Sequence, residues 1–261
     1  MKISIISVYN NETILEKCLL NSLKKQKEDY ELILIDNTQG KFKCAADALN
    51  FGGNKATGNL LLFVHQDVEF YENNLEDILK YYKNSKNLGI AGVAGTDKNT
   101  GIVKSNGIHH IPPENMAPIQ FMGIETAQTL DEVLLIIPKE IFNKFKFDSE
   151  TCDNWHLYGA DYCLELMRNN YNILIFPITL YHASNGGSMS IGYYKTLKKI
   201  LKKYKNDFKY IHTTCLGSHN TQRPLKVDIL YFVNNYKIIN YLGTNLSKLQ
   251  FLKKIFKKFT E

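Results

Sequence analysis

His65, Gln66 and Asp67 directly follow the apolar run of residues 60–64, so they stand where a buried strand should end. A carboxylate at that position is poised to ligate a hard cation, which in turn could neutralise a diphosphate. Alternatively, Asp67 simply caps the turn after the strand. The tripeptide alone leaves both interpretations open.

Asp161 lies at the start of a predicted helix, in the segment Tyr158-Gly159-Ala160-Asp161. The helix dipole favours a carboxylate near a helix N-terminus, which is a sufficient structural explanation. The functional hypothesis is a general base that deprotonates a hydroxyl. Trp155, the only tryptophan, precedes Asp161 by six positions and is either a core residue or a platform on which a sugar stacks.

Three histidines complete the set of candidate residues. His182 follows the apolar run of residues 174–181 and could be a metal ligand, a phosphate donor or a core histidine. His109 and His110 have no potential ligand at a recognisable spacing, so we assign them structural roles.

Two common nucleotide-binding motifs are excluded. The glycines of residues 53–58 have the P-loop interval, but the required Lys-Ser/Thr does not follow and the next element is a strand. No G-x-G-x-x-G follows the first strand, which excludes a Rossmann dinucleotide site.

The elements that must position these residues alternate between strand and helix. Strands are predicted over residues 3–8, 31–35 and 60–64, with helices over about 12–23 and 44–55 between them. This order indicates a doubly wound parallel sheet, in which ligands bind beyond the carboxyl ends of the strands. Polar residues follow all three strands there, namely Tyr9-Asn10, Asp36-Asn37 and His65-Gln66-Asp67.

The second half continues less regularly. After a helix near residues 75–82 and a strand at 90–94, residues 95–118 are rich in Gly and Pro. Strands are predicted at 133–137 and 173–181, with a helix from about Gly159 between them. A basic amphipathic helix follows at 194–204, and residues 249–259 repeat that pattern. This last helix either lies in an anionic membrane interface or packs on the domain.

Composition limits the class of protein. The chain has 261 residues, 44% of them apolar, which allows a sizeable core. Its net charge of +6 gathers in lysines of the C-terminal region and lacks the motifs of a nucleic-acid binder. Five cysteines without a CxxC pair favour free thiols over zinc or disulfides. No apolar run suits a signal peptide or a membrane span, so we expect a cytoplasmic protein, at the inner face of the membrane if its tail binds lipid.

Taken in order, these motifs resemble family 2 glycosyltransferases with the GT-A fold. The resemblance covers about residues 1–190 and includes residues 7–12, 35–37, 48–52 and 56–59, ahead of residues 62–67. It continues through Asp161, Arg168 and His182. The order and spacing of these segments are specific, although each one alone is degenerate.

The resemblance implies a metal-dependent, inverting transfer of a sugar from a nucleoside-diphosphate sugar, most often a UDP-sugar, to a glycan or lipid-linked acceptor. Asp67 and His182 would bind Mn²⁺ or Mg²⁺, and Asp161 would be the catalytic base. Other residues would contact the nucleotide, namely Val8, Tyr9, Asn11, Asp36, Asn50 and Gln66. Acceptor or sugar contacts would come from Trp155, Tyr158 and Arg168.

Two positions depart from the family pattern. His65 stands where many members have the first Asp of a DxD motif, which removes one carboxylate from the metal site. Ala160 replaces the Glu that usually precedes the catalytic Asp. The His-Gln-Asp form resembles bacterial transferases that build surface polysaccharides.

The predicted fold is therefore α/β and GT-A-like, with a mostly parallel central sheet flanked by helices. Residues 1–190 would form the catalytic domain, with a nucleotide-binding half at 1–98 and an acceptor half at 99–190. Residues 191–261 would form a basic, mainly helical extension. The competing functions are a sugar-nucleotide nucleotidyltransferase and a non-catalytic sugar-binding relative.

Overall fold

The computed structural model of the chain describes residues 1–109, 112–184, 190–223 and 227. The described helices are α1 (Glu12–Leu15), α2 (Asn21–Leu23), α3 (Ala45–Lys55), α4 (Asn74–Asn84), α5 (Lys139–Lys144), α6 (Tyr158–Arg168) and α7 (Ile191–Lys203). A π-helical turn, Glu16–Leu20, joins α1 to α2. The first eight strands are β1 (Ile3–Tyr9), β2 (Tyr30–Asp36), β3 (Leu60–Val64), β4 (Val68–Phe70), β5 (Leu88–Gly92), β6 (Ala94–Thr96), β7 (Val103–Ser105) and β8 (Ile108–His109). The others are β9 (Glu114–Asn115), β10 (Glu125–Thr126), β11 (Thr129–Leu130), β12 (Leu134–Pro138), β13 (Asn172–Ile175), β14 (Leu180–His182), β15 (Tyr210–Thr213) and β16 (Gly217–Asn220).

The central sheet has seven strands in the order β10-β13-β5-β12-β3-β1-β2. β1 is parallel to β2 and β3, and β5 is parallel to β13. β12 is antiparallel to both of its neighbours, β3 and β5, and β10 is antiparallel to β13. The α/β fold with a mostly parallel sheet is thus confirmed.

The central strands are apolar throughout because both faces of the sheet are covered. Side chains alternate between two buried clusters: Leu61 and Phe63 of β3 belong to one, and Leu60, Leu62 and Val64 to the other. Each such fully buried side chain stabilises the fold by about 1.5–3 kcal/mol. Gly58 is required just before β3, since a Cβ there would lie 2.8 Å from the Ser4 backbone nitrogen.

The predicted strand at residues 173–181 is two strands, β13 and β14. Pro177 lies between them and has no N–H to donate to a neighbouring strand, so the ladder breaks there. The chain then leaves the central sheet, and β14 joins a four-stranded sheet in the order β4-β14-β8-β9. This break brings His182 opposite Val68, next to Asp67.

Residues beyond 190 belong to the same core over their described part. Tyr193, Leu197 and Leu201 of α7, together with Ile211 of β15, are buried in the cluster that contains Phe63. β15 and β16 form a hairpin, so this part is not purely helical. The boundary expected after residue 190 does not correspond to a gap in the core. The predicted helix at residues 249–259 lies outside the described residues.

Two expectations from composition can be compared with the structure. All five cysteines are free thiols, as expected, and four of them are buried. Within the described parts of the chain, no helix is both long enough and apolar enough to cross a membrane.

Candidate metal and nucleotide site

A cleft of about 920 Å³ opens beyond the carboxyl ends of β1, β2 and β3. That volume lies in the range of small-molecule binding sites. The ends of the strands contribute Val8 and Tyr9 from β1, and Val64 from β3. β12 runs antiparallel to β3, with Leu134 opposite Val64, so the residues just before β12 reach the same edge.

His65, Asp67 and His182 form a compact group in this cleft. One potential ligand atom from each residue lies within 4.8 Å of the other two. Asp67 Oδ1 is 3.2 Å from His182 Nε2, and the ring centroids of His65 and His182 are 5.5 Å apart. The end of β3 and the pairing of β4 with β14 position the three residues.

The electrostatics of this group favour an ionised Asp67 and a neutral His65. Burial opposes ionisation of Asp67, but its hydrogen bond with His182 and the two nearby imidazoles outweigh that effect and lower the pKa of the carboxyl. Burial, and then the charge of His182, lowers the pKa of His65. An ionised carboxylate and a neutral imidazole are the forms that bind metals.

Side chains around the group hold it in place. His65 Nε2 lies 3.2 Å from the Tyr158 hydroxyl, at the first residue of α6. Gln66 Oε1 accepts hydrogen bonds from the backbone N–H groups of Asn10 and Asn11, at 3.1 and 3.0 Å, and its Nε2 donates to Asn10 Oδ1 at 2.7 Å. Gln66 therefore connects the loop after β1 to residues 65–67.

The cleft brings together seven of the residues predicted from the sequence, which are Val8, Tyr9, Gln66, Asp67, Trp155, Tyr158 and His182. Trp155 is 41% exposed, so it is a surface residue of the cleft and not a core residue. Tyr158 is buried, and its hydroxyl contacts His65.

Four other predicted contacts do not line the cleft. Asn11 caps α1 by accepting from Ile14 N at 3.0 Å. Asp36 is exposed and accepts from Thr38 N at 2.8 Å, whereas its neighbour Asn37 faces the cleft. Asn50 binds both backbone groups of Phe147. Arg168 ends α6 on the surface, where it pairs with Glu165 and Asp207.

Asp161 requires a correction, because its carboxylate does not line the cleft. It is 2% exposed, and both of its oxygens lie 2.9 Å from Lys203 Nζ. The same Nζ is 2.9 Å from Asp148, so one cation joins α7 to two carboxylates. Burial disfavours the charge of Lys203, but these carboxylates outweigh it and raise the pKa of the amine. This placement is that of a structural ion pair between α6 and α7.

Several cleft residues were not predicted. His65 replaces a carboxylate of the family motif, but its imidazole is itself a potential metal ligand. His109 was assigned a structural role, yet it lines the cleft and pairs with His182 in the β8–β14 ladder. Residues after 190 also contribute, because α7 and the β15–β16 turn supply Tyr193, Thr214 and Cys215.

Two further acidic residues, Asp131 and Glu132, lie at the cleft just before β12. Asp131 accepts from Val133 N at 3.2 Å and from Thr214 Oγ1 at 2.8 Å. Glu132 Oε1 accepts from Gly159 N at 3.1 Å. Burial, and then the charge of Asp131, raises the pKa of Glu132 to about 8. No sequence pattern marked this pair, since the adjacent residues 133–137 read only as a strand.

Comparison with known proteins adds the following findings. A family model described as "Glycosyltransferase like family" matches residues 4–209, which is most of the chain. No curated protein gave a match. The crystal structure of S. aureus TarS 1–349 in complex with UDP-GlcNAc aligns with a TM-score of 0.55 at 17% identity, over 80% of this chain and 68% of that one.

Two other solved structures have the same fold. GalNAc-T7 with UDP, GalNAc and Mn²⁺ aligns with a TM-score of 0.57 at 12% identity, over 78% of this chain and 48% of that one. The mannosyltransferase PcManGT from Pyrobaculum calidifontis, in complex with GDP-Man and Mn²⁺, aligns with a TM-score of 0.53 at 13% identity, over 80% of this chain and 65% of that one. This chain thus spans less than two thirds of the length of these last two proteins.

Proposed function

This chain belongs to the glycosyltransferase-like family and is a glycosyltransferase, and from that premise we propose that it transfers a sugar from a nucleoside-diphosphate sugar in a metal-dependent, inverting reaction. The observation that carries the proposal is the group of His65, Asp67 and His182 within the large cleft at the strand ends. In open α/β sheets this edge is where ligands bind.

The three residues suit Mn²⁺ better than Mg²⁺. Mg²⁺ demands nearly ideal octahedral coordination by oxygen ligands, so a group with two imidazoles fits it poorly. Two imidazoles and one carboxylate offer only one oxygen ligand group. When bound, the metal would neutralise the charge that develops on the leaving diphosphate. The Mn²⁺ in the GalNAc-T7 and PcManGT structures supports this choice.

The donor nucleotide would occupy the side of the cleft formed by the ends of β1 and β2. Val8, Tyr9 and Asn10 line this side of the cleft. Asn37 and Thr38, which also line it, would contact the nucleotide in place of Asp36. A UDP-sugar is the first candidate, supported by the UDP-GlcNAc complex of TarS. The GDP-Man complex of PcManGT makes GDP-mannose the second.

The acceptor would enter from the opposite side, past Trp155, His156 and Tyr193. An exposed indole at a cleft is suited to stacking on a sugar ring, because its face is apolar and its edge can donate a hydrogen bond. The acceptor is a glycan or a lipid-linked sugar in this proposal. Membrane contact through residues 249–259, and a location at the inner face of the membrane, remain predictions from the sequence.

The test is a donor panel measured by thermal shift and by release of nucleoside diphosphate, with Mn²⁺ present. We expect one of UDP-GlcNAc, UDP-GalNAc and GDP-mannose to raise the melting temperature and to be hydrolysed slowly with water as the acceptor. A non-catalytic sugar binder would give the shift without hydrolysis. A nucleotidyltransferase would instead form a nucleotide sugar from a sugar phosphate and a nucleoside triphosphate. Either result would contradict the proposal.

A further inference from the structure

Carboxylates that could take a proton from an acceptor are few. Among the described residues, Asp67, Asp131 and Glu132 are the acidic residues that line the cleft. Asp67 belongs to the metal group. Asp131 accepts from Thr214 Oγ1 at 2.8 Å through one oxygen and from Val133 N at 3.2 Å through the other, so it holds the β15–β16 turn against the loop before β12.

Glu132 has a different environment, beneath the first turn of α6. Gly159 has no side chain, and a Cβ at that position would lie 3.0 Å from Glu132 Cγ and 3.6 Å from its Oε1. The glutamate therefore fills the space that a side chain of residue 159 would need. Its Oε1 accepts from the Gly159 N–H, which fixes the carboxylate at the N-terminal end of the helix.

The backbone around Glu132 is strained in a way that serves this arrangement. Leu157, just before α6, has φ of 63°, in the left-handed region that costs a non-glycine residue about 1–2 kcal/mol. Strain of this kind persists where the surrounding structure demands it, and such residues cluster at functional sites. Here it aims the N–H groups of both Leu157 and Gly159 at Glu132 and places Tyr158 against His65.

From this geometry we infer that Glu132 is the catalytic base that deprotonates the acceptor hydroxyl. The inference rests on the proposed function, because it requires a sugar nucleotide and an acceptor in the cleft. Glu132 also adjoins the metal group through the backbone, since His65 N donates to Val133 O at 3.2 Å. The base and the metal group are thus fixed by neighbouring strand ends, β3 and β12.

The step balances without another reactant. The acceptor oxygen forms a bond to the anomeric carbon as its proton passes to the Glu132 carboxylate. The bond from the anomeric carbon to the diphosphate oxygen breaks, and the nucleoside diphosphate leaves with that electron pair. Glu132 then returns the proton to solvent. Burial raises the pKa of Glu132 to about 8, so its ionised form is a stronger base than an exposed carboxylate. Only that form accepts the proton, so the rate should rise with pH toward pH 8.

His156 is the competing base, because it also lines the cleft and burial lowers the pKa of its imidazole. Its Nε2 lies 3.2 Å from Ser190 Oγ, and its ring packs against Tyr193 at 5.7 Å. These contacts place it beside Trp155 on the α7 side of the cleft. Glu132 reaches the same part of the cleft from beneath the first turn of α6, since burial and, to a smaller extent, the charge of Glu132 raise the pKa of Tyr193. The experiment therefore includes both residues.

The experiment compares Glu132→Gln, Glu132→Asp, Glu132→Ala and His156→Gln with the wild type. Hydrolysis of the best donor from the panel is measured as release of nucleoside diphosphate with Mn²⁺, and donor affinity is measured in the same preparations. Gln keeps the acceptor for the Gly159 N–H but cannot take a proton, so Glu132→Gln should retain donor affinity and lose hydrolysis by about 10²-fold or more. Glu132→Asp should lose less, and formate should partly restore the rate of Glu132→Ala.

The outcomes separate the two proposals. A wild-type rate in Glu132→Gln, or a loss confined to His156→Gln, overturns the assignment of the base and leaves the glycosyltransfer proposal standing. Loss of donor affinity together with rate in Glu132→Gln overturns it too, since Glu132 would then be part of the donor site. A wild-type protein that neither binds nor hydrolyses any donor contradicts the proposed function itself.

Discussion

Lys203 of α7 lies against Asp161 of α6, with its Nζ 2.9 Å from both carboxylate oxygens. The ion pair is buried on the Asp161 side and is shared with Asp148. Breaking one partner of a buried pair leaves a charge without compensation, and this usually costs about 3–5 kcal/mol. The pair therefore joins α7, which contributes Tyr193 to the cleft wall, to the helix that contributes Tyr158.

Asp161→Asn should destabilise the fold while the folded fraction keeps its activity. Because Asp148 remains beside Lys203, we expect a loss of about 2 kcal/mol in the free energy of unfolding, less than for a fully isolated charge. Donor hydrolysis per folded molecule should stay within about twofold of wild type. Adding Lys203→Met removes the stranded cation and should recover part of the lost stability. A loss of hydrolysis by about 10²-fold with unchanged stability would restore Asp161 as the base.

The sequence revealed the sheet and the location of the site but not every residue in it. Residues 60–64 read as a buried strand, so its polar end at residues 65–67 could be placed at the ligand-binding edge. Lys203 follows Asp161 by forty-two positions, and no local pattern reveals that contact. Asp36 and Asn37 differ by one position, which in an extended chain reverses the direction of the side chain.

The break at Pro177 is a further case in which local sequence was insufficient. The apolar run of residues 173–181 was predicted as one strand, and its end at His182 was correctly identified as polar. That His182 would lie beside Asp67 depends on the pairing of β14 with β4, a contact between distant parts of the chain. Glu132 was overlooked for the same reason, since Gly159 and Leu157 determine its environment.

Tyr158→Phe should weaken Mn²⁺ binding without unfolding the protein. The substitution removes the hydroxyl that lies 3.2 Å from His65 Nε2 but keeps the ring that packs edge-on against Phe147. Groups that orient a metal ligand typically contribute about 10–100-fold to metal affinity. We expect a loss at the lower end of that range, measured by titration with Mn²⁺. Tyr162→Phe is the matched control, because its hydroxyl donates to Phe145 O, away from the cleft.

The stability of the protein should depend on pH through Glu132. In the folded state its pKa is raised to about 8, whereas an unfolded glutamate titrates near 4.3. Between these values the folded state holds one more proton, so its stability falls as pH rises, by about 1.4 kcal/mol per pH unit at most. Glu132→Gln lacks this dependence. The melting temperature of the variant should therefore rise relative to wild type between pH 5 and pH 8.

The other groups that face Glu132 should not obscure this effect. The titratable groups that face Glu132 are the Asp131 carboxyl and a set of thiols and phenols, namely Cys152, Tyr158, Cys163, Tyr193 and Cys215. Burial raises the pKa of each of these thiols and phenols, so they titrate above the window of pH 5 to pH 8. Glu76→Gln on the exposed face of α4 is the control and should follow wild type at every pH. If the difference in melting temperature between Glu132→Gln and wild type stays constant from pH 5 to pH 8, the pKa of Glu132 is not raised in the folded state.

His65→Asp should retain more metal-dependent donor binding than Asp67→Asn. An aspartate at position 65 restores an oxygen ligand, so metal-dependent donor binding should survive and the preference for Mn²⁺ over Mg²⁺ should narrow. His65→Ala, which provides no ligand, should lose Mn²⁺ affinity. The measurement is donor affinity with each of the two metals. If wild type, His65→Asp and His65→Ala bind the donor with equal affinity in Mn²⁺, His65 is not part of the metal site.

Calorimetric titration of UDP tests the central claim most directly, with wild type and Asp67→Asn each measured in Mn²⁺ and in EDTA. Asparagine preserves the size of the side chain at the end of β3 but removes the only carboxylate of the metal group. We predict that wild type binds UDP at least tenfold more tightly in Mn²⁺ than in EDTA, and that Asp67→Asn shows the weak affinity under both conditions. Equal affinities of wild type in Mn²⁺ and EDTA, or an unchanged metal effect in Asp67→Asn, would contradict a metal-held nucleotide in this cleft.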